Sequence, residues 1–255
     1  MVGGVQSVVR GLAFTRWDGR QLFRAALATA LMLGLAWLVT AATDEGGVSW
    51  GERAGRTLPL TPLCATVGAW IALAPALARG EGLAMEALGR SRAQIAAAAV
   101  IGGALVALAA SVALGLARGV DVAGFFPTAT HASAWTWSGS AFVDAVHGLR
   151  VGSDGAPVRV MSDVGRVLGG TPLHGRATAA VVTALAGLAL PLLLAHALLE
   201  RSRVLPAVLA AGATVAASVL LFQAAAVGHL PAAVGALPSV ALLAFAVRRY
   251  RARHG

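Results

Sequence analysis

Six apolar stretches alternate with polar segments along this chain. As a helix, each of these stretches would be about as long as a bilayer is thick. An α-helix rises about 1.5 Å per residue, so about 20 apolar residues cross a hydrocarbon core of about 30 Å. The pattern therefore predicts six membrane-spanning helices, of which the first and the last are short. Their residues are 25–42, 58–78, 93–117, 177–199, 204–227 and 230–247.

The composition agrees with this pattern, because 58% of the residues are hydrophobic and only 12% are charged. The mean hydropathy of +0.77 indicates more apolar surface than the core of a soluble protein can bury. Within the predicted spans, only His196 and Gln223 break the apolar character. A neutral, hydrogen-bonded side chain between helices is the simpler account of each, although an ionisable group inside a membrane is also a functional candidate. We expect an all-α polytopic membrane protein.

All twenty basic residues are arginines, and most of them lie beside span ends. Short loops rich in basic residues stay in the cytoplasm, so the clusters predict that both termini are cytoplasmic. We assign the net charge of +9 mainly to membrane anchoring rather than to nucleic-acid binding. The arginines on the predicted cytoplasmic side are Arg10, Arg16, Arg20, Arg24, Arg79, Arg90, Arg92, Arg201, Arg203, Arg248, Arg249, Arg251 and Arg253.

The spans divide the chain into three parts. Residues 1–117 hold a cytoplasmic segment and the first three spans, residues 118–176 form an extracytoplasmic segment, and residues 177–255 hold the last three spans and a basic tail. The middle part predicts one β-hairpin, because Phe142, Val146 and Val151 alternate with polar residues, 152–155 has turn chemistry and 158–160 can return as a strand. Trp135 and Trp137 are either an interfacial anchor or a small core.

Small residues recur at every fourth position of the third span, at Gly103, Ala107, Ser111 and Gly115. Small residues on one face let helices approach closely, which suits packing within a bundle or against a partner subunit. Chance spacing in an alanine-rich chain is the alternative.

Enzymatic motifs are scarce. The sequence has no phosphate-binding loop, zinc-binding HExxH pair or nucleophile elbow, its six histidines show no ligand spacing, and Cys64 is its one cysteine. We therefore predict no catalytic residue, no bound metal and no cofactor in this chain. An intramembrane enzyme that uses His196 with a serine or carboxylate stays an alternative.

The segment between the second and third spans, residues 80–92, is named the connector. It predicts a short amphipathic helix whose Leu83, Ala87 and Leu88 face the bilayer while Glu81, Glu86 and Arg90 face the cytoplasm. In transport ATPases, an in-plane helix of this kind transmits nucleotide-driven closure to the membrane domain. A charged, solvated loop is the alternative interpretation.

Several stretches resemble one family. The order Glu81, then Glu86-Ala87-Leu88-Gly89-Arg90-Ser91, is similar to the coupling region of the LptF/LptG (YjgP/YjgQ) permeases of lipopolysaccharide export. The proline-containing stretches 58–63, 189–192 and 228–238 resemble the family's second, fourth and last spans, and 248–251 resembles its basic tail. The layout of three spans, an external segment and three spans also agrees with that family.

The resemblance implies a permease subunit of an ATP-binding-cassette exporter in the bacterial inner membrane, which extracts lipopolysaccharide or a related amphiphile. It implies a second permease chain, identical or related, a cytoplasmic ATPase subunit that carries ATP and magnesium, and a periplasmic lipid-transfer protein. Spans one and five would form the lateral gate and the dimer seam. The residues implied in ATPase coupling are Glu81, Met85, Glu86, Leu88 and Arg90.

Two departures from the family change these expectations. Segment 118–176 is too short for the family's periplasmic jellyroll, so delivery to a jellyroll bridge is in question. The first span also lacks the basic residues that hold lipid phosphates in the family. Guanidinium groups bind phosphate bidentately, so they can substitute, with interfacial anchoring as the alternative. The candidate lipid head-group residues are Arg53, Arg56, Arg118 and Arg176.

Other functions stay open as alternatives. A phospholipid-trafficking permease of the MlaE kind also has a cytoplasmic loop with Gly and Glu, but its external loops are short, unlike 118–176. A structural membrane subunit that transports nothing is another alternative.

Overall fold

The part of the protein that the structure describes is mostly helical, with a small sheet. The structure is a computed structural model, and it describes residues 15–43, 48–122, 135–137, 139–144, 149–152, 155, 157–159, 173–200, 204–226 and 230–254. The helices of this part of the chain are α1 (Arg16–Thr43), α2 (Trp50–Thr57), α3 (Thr61–Ala78), α4 (Glu81–Ala87), α5 (Arg92–Leu116), α6 (Leu173–Glu200), α7 (Val204–Ala226) and α8 (Leu237–His254). Single 3-10 segments, Leu58–Leu60 and Ala232–Ala236, precede α3 and α8.

Among the described residues, four helical regions are long and apolar enough to cross a membrane. They are Arg16–Thr43, Trp50–Ala78, Arg92–Leu116 and Arg176–Glu200, and they contain the first four predicted spans almost entirely. In the last two helical regions, the apolar stretches among the described residues are shorter, Leu209–Ser218 and Ala233–Arg248. The structure is thus compatible with a membrane protein.

Two predicted boundaries were wrong. The first helix begins at Arg16 instead of residue 25, because Thr15 caps it: Asp18 N–H donates to Thr15 Oγ1, and Thr15 N–H donates to Asp18 Oδ2. The last helix begins at Leu237 instead of residue 230 and runs through the basic tail. Proline favours the first turn of a helix, so Pro238 suits this start.

The long helices form a bundle in which α1 packs on α3 and α5, while α6 packs on α3 and α5 from the other side. Helix α8 packs on α6, and α7 packs on the 3-10 segment Ala232–Ala236, on α8 and on α6. The connector end of the bundle holds the start of α1, the end of α3, α4, the start of α5 and the end of α6. The opposite end, named the sheet end, holds the end of α1, α2, the end of α5 and the start of α6.

The small residues of α5 pack within this chain. Gly103 lies against Ala65 of α3, and Ala107 lies against Gly187 of α6. Ser111 Oγ donates to the carbonyl oxygen of Ala180 at 2.7 Å. The four-residue spacing therefore brings α5 close to both α3 and α6, which is the bundle-packing interpretation of the pattern.

Segment 118–176 contains a four-stranded antiparallel sheet rather than one hairpin. Strands β1 (Trp135–Trp137), β2 (Ala141–Asp144), β3 (Leu149–Gly152) and β4 (Pro157–Arg159) pair in chain order. Phe142 and Val151, which were predicted before the turn on the same side of the hairpin, lie instead on two paired strands, β2 and β3. The predicted return strand is present in part, since Val158 and Arg159 lie in β4, which pairs with β3. The predicted turn between β3 and β4 contains Gly155 at φ 74°. The exposed Trp137 side chain packs on Phe142, with ring centroids 4.8 Å apart. The predicted strand residue Val146 lies outside the described residues.

Candidate functional site: the connector and the start of α1

The connector contains a helix of only seven residues, α4. It begins after Gly80, at φ 78°, and ends before Gly89, at φ 83°, both in the left-handed region that glycine adopts without strain. Ser91 already caps α5, since its Oγ accepts from Gln94 N–H and its own N–H donates to Gln94 Oε1. The prediction of one amphipathic helix over 80–92 was therefore too long, because two turns enclose α4.

The apolar side of α4 points away from the bundle. Leu83 is 71% exposed and Leu88 is 78% exposed, and both are among the most exposed large apolar side chains of the described residues. Ala84 and Ala87 are also exposed, whereas Met85 is half-buried. Gly82 lies on the buried side, where an added Cβ would meet Leu77 Cδ2 at 2.7 Å. Glycine at this position thus lets α4 lie closely over the end of α3.

Two charged residues of the connector bond to α1 rather than pointing outward. Glu81 Oε2 accepts from Trp17 Nε1 at 2.9 Å. Arg90 Nη1 donates to Asp18 Oδ1 at 2.8 Å, with side-chain exposures of 17% and 4%. Glu81 and Arg90, which the sequence predicts on the cytoplasmic side, thus bond to α1, because the start of α1 lies against the connector.

The other ion pairs of the connector are more exposed. Arg92 Nε donates to Glu86 Oε1 at 2.9 Å, and Arg79 Nε donates to Glu81 Oε1 at 2.8 Å. The hydrogen bonds from Trp17 and Arg79 together hold the pKa of Glu81 below its ordinary value, against a smaller opposing effect of burial. Glu81 is therefore an ionised acceptor shared by α1 and the end of α3.

Trp17 and Asp18 belong to this site, although the sequence analysis did not single them out. A pattern was available: Thr15 precedes Asp18 by three residues just before an apolar run, which is typical of a helix N-terminus. Asp18 is also the one acidic residue among the first 43, where several arginines lie. Its Oδ2 accepts from Thr15 N–H and Oγ1, each at 2.8 Å, which leaves Oδ1 for Arg90.

The candidate lipid head-group arginines lie at the sheet end, and the structure gives three of them partners within the chain. Arg176 donates to the carbonyl oxygens of Ala117, Arg118 and Val120 at 2.7–3.1 Å. Arg53 lies over the Trp37 ring, 5.8 Å from its centroid. Arg56 pairs with Glu52. The Arg118 side chain is exposed.

Helix α2 is held tightly to the end of α5. An added Cβ on Gly51 or Gly55 would collide with the carbonyl oxygens of Gly119 and Asp121. Asp121 N–H donates to the carbonyl oxygen of Gly51 at 3.0 Å. Backbone contact and the Arg176 bonds thus join α2, α5 and α6 at this end.

His196 and Gln223 are the two polar side chains of the predicted spans. His196 is buried in α6, and its Nε2 lies 3.5 Å from Oε1 of Glu200, one turn further along the same helix. The side chain of Gln223 lies outside the described part of α7.

Comparison with known proteins adds no relative. No protein-family model matches the chain, and no curated protein sequence matches it. The resemblance to the LptF/LptG permeases therefore stays a prediction that rests on the residues quoted for it.

Proposed function

We propose that this chain is the permease subunit of a lipid exporter in the bacterial inner membrane, driven by a separate ATPase. The observation that carries the proposal is the geometry of α4. This short helix presents exposed Leu83 and Leu88 at one end of a bundle of membrane-length helices, while charged groups fix it to α1 and α5. Those two properties suit a helix that receives force from a protein outside the membrane and passes it to the bundle.

The proposed topology has six spans, three on each side of the extracytoplasmic segment. Helices α7 and α8 would add two spans to the four candidate membrane helices. The 3-10 segment before α8 would lengthen its short apolar stretch. The connector is proposed to lie in the cytoplasm with both termini, because Arg79, Arg90 and Arg92 surround it. The sheet would then lie in the periplasm.

The partner surface is proposed to be the exposed side of the connector. Leu83 and Leu88 offer an apolar contact, while Glu86, paired with Arg92 at the surface, offers an exchangeable charge. An ATPase groove that buries both leucines and supplies a cation to Glu86 fits this surface. Arg90 and Glu81 would then act from beneath, by holding the connector in place.

The cargo is proposed to be an amphiphile with an anionic head group, such as lipopolysaccharide or a related lipid. Three arginines supply positive charge near the proposed periplasmic surface of the inner membrane. They are Arg118, which is exposed at the sheet end, and Arg53 and Arg56 on α2. Arg176 donates to three carbonyl oxygens, so its main contribution to this surface is to hold it together. The small sheet would replace the family's jellyroll, with a different or reduced periplasmic partner.

The decisive experiment is purification of the tagged chain in mild detergent, with mass spectrometry of the proteins and lipids that co-elute. We expect an ATPase subunit, a second permease chain and an anionic lipid. Reversing the charge of Glu86 with Glu86→Arg should abolish ATPase recovery while the chain itself is recovered normally.

The matched control is Glu52→Arg, since Glu52 is also a surface carboxylate paired with an arginine, but at the sheet end. It should leave ATPase recovery unchanged. Equal ATPase recovery with Glu86→Arg and with the parent would count against the coupling site, and absence of any ATPase from the parent preparation would overturn the proposed function.

A further inference from the structure

Helix α1 is buried against the rest of the bundle in its first half only. Its buried residues are Asp18, Gln21, Ala25 and Thr29, and none of the described residues of α1 after Thr29 is buried. The outer half, residues 30–43, exposes Leu31, Leu35 and Leu38. Its contact with α2 is made by the half-buried Trp37, whose ring lies 5.5 Å from that of Trp50. The two halves therefore differ in how firmly the bundle positions them.

The middle of α1 crosses its neighbours at two glycines. An added Cβ on Gly68 of α3 would lie 2.7 Å from the carbonyl oxygen of Ala25 and would collide with Thr29 Oγ1. An added Cβ on Gly102 of α5 would collide with the carbonyl oxygen of Leu22. Backbone contact this close leaves little room for sliding, so the crossing acts as a fixed point for α1.

On the connector side of this crossing, α1 is bonded to the connector at two separate places. Trp17 donates to Glu81, at the start of α4, and Asp18 accepts from Arg90, beyond the end of α4. Bonds at both ends of α4 resist rotation as well as translation of α4 relative to α1. The Asp18–Arg90 pair is also partly withdrawn from water, where charge-assisted hydrogen bonds are stronger.

We infer that α1 acts as a lever that transmits motion of the connector to its own outer half. Trp17–Glu81 and Asp18–Arg90 fasten the first residues of α1 to the connector. The crossing at Gly68 and Gly102 is the fixed point about which the outer half tilts when the connector moves. The inference rests on the proposed function only for the source of the force, a partner ATPase. The fastening itself is a property of this chain. Trp17, Asp18, Glu81 and Arg90 are positioning residues in this role.

The test measures the outer half of α1 directly, by spin labels at Val39→Cys on α1 and Val112→Cys on α5 in a Cys64→Ala background. Both native valines are exposed and lie in the halves of their helices near the sheet end. Distance distributions are recorded on the full chain in nanodiscs. The fastening is cut by Trp17→Phe with Arg90→Gln, which keeps the aromatic ring and the Thr15–Asp18 cap.

The matched control makes the same chemical changes elsewhere. It combines Trp70→Phe, at an exposed tryptophan, with Arg92→Gln, which removes the ion pair between Glu86 of α4 and the first residue of α5. We expect the distance distribution to broaden in the cut variant and to keep the width of the parent in the control. Equal widths in the parent and the cut variant, or equal broadening in the control, would overturn the lever.

Two further measurements keep the result interpretable. If the double variant fails to fold well enough to measure, Trp17→Phe alone, which leaves the ion pair, is compared with the parent instead. It should broaden the distribution, and a width equal to that of the parent would count against the lever. With the purified ATPase and a non-hydrolysable ATP analogue, the parent's distance should shift while the cut variant's does not. A parent that binds no ATPase refutes the proposed function but leaves the nanodisc result as evidence on the fastening.

Discussion

At the scale of single residues, the charged side chains of this protein bond mainly to other parts of the chain. Asp18 caps α1 and pairs with Arg90, Glu81 accepts from two elements, and Arg176 caps the end of α5. Each of these groups lies next to an apolar helix end, where water competes less for its hydrogen bonds. Individual polar contacts therefore decide how the ends of the apolar helices are joined.

Removing the Arg176 guanidinium should destabilise the sheet end. In Arg176→Gln, the shorter side chain no longer reaches the carbonyl oxygens of Ala117, Arg118 and Val120 together. Hydrogen bonds to a charged group contribute about 1.5–3 kcal/mol each at most, so we expect a loss of about 1–3 kcal/mol in unfolding free energy. Thermal unfolding in detergent measures it.

Arg56→Gln is the control for that experiment, because Arg56 pairs with Glu52 at the surface. Exposed pairs contribute about 0–1 kcal/mol, so this variant should unfold close to the parent. Equal stability of the two variants would contradict the capping role of Arg176.

The Trp17–Glu81 bond should depend on pH in a defined direction. The pKa of Glu81 is lowered by its hydrogen bonds to Trp17 and Arg79, so the bond's contribution to stability is complete above the ordinary glutamate value and is lost as pH falls through the lowered pKa. The Trp17 indole N–H resonance, assigned with Trp17→Phe, should shift with a midpoint below the ordinary glutamate range. In Glu81→Gln, no such titration should occur, and a midpoint at or above the ordinary range would contradict the assignment.

At the scale of helices, close packing depends on where glycine meets a neighbouring backbone. Gly68 and Gly102 face α1, and Gly187 faces Ala107 of α5. Gly34 of α1 and Gly212 of α7 have nothing within 4 Å of an added Cβ. The glycines of the long helices thus fall into two groups that the sequence does not separate.

Alanine substitution should distinguish these groups. Gly68→Ala should lower the unfolding free energy by about 1–3 kcal/mol, because the new methyl group forces α1 away from α3. Gly34→Ala adds the same methyl group in open space and should leave stability unchanged or raise it by up to about 1 kcal/mol. Denaturant titration in detergent measures both, and a similar loss in both variants would contradict the crossing at Gly68.

At the scale of the whole molecule, the two ends of the bundle are built differently. The sheet end is joined by backbone contacts around Gly51 and Gly55 and by the bonds of Arg176. The connector end is joined by side-chain ion pairs and one indole hydrogen bond. Close backbone packing resists motion more than side-chain bonds do, so we expect motion to begin at the connector end.

The proposed orientation gives a prediction about the whole chain. In a Cys64→Ala background, a membrane-impermeant maleimide applied to cells with a permeabilised outer membrane should label Ser140→Cys, which is exposed beside the sheet. It should not label Leu83→Cys until the inner membrane is also opened with detergent. Labelling of Leu83→Cys in intact cells would invert the proposed orientation and place the connector beyond the reach of a cytoplasmic ATPase.

The sequence alone determined the helical class, the first four membrane-length helices, the stretch that holds the connector and the return strand of Val158 and Arg159 after the turn. These features depend on local periodicity, length and turn residues, which are written in consecutive positions. Thr15 and Asp18 at the start of α1 likewise form a local pattern that is typical of a helix N-terminus.

Only the tertiary structure decided which polar groups meet. Asp18 and Arg90 are 72 positions apart, and Trp17 and Glu81 are 64 positions apart, so no local pattern pairs them. The hydrogen bonds of Arg176 to carbonyl oxygens also depend on the tertiary structure. So does the difference between Gly68 and Gly102, which lie against a neighbouring backbone, and Gly34, which does not. Such contacts depend on how the helices pack in three dimensions, and one apolar periodicity is compatible with many packings.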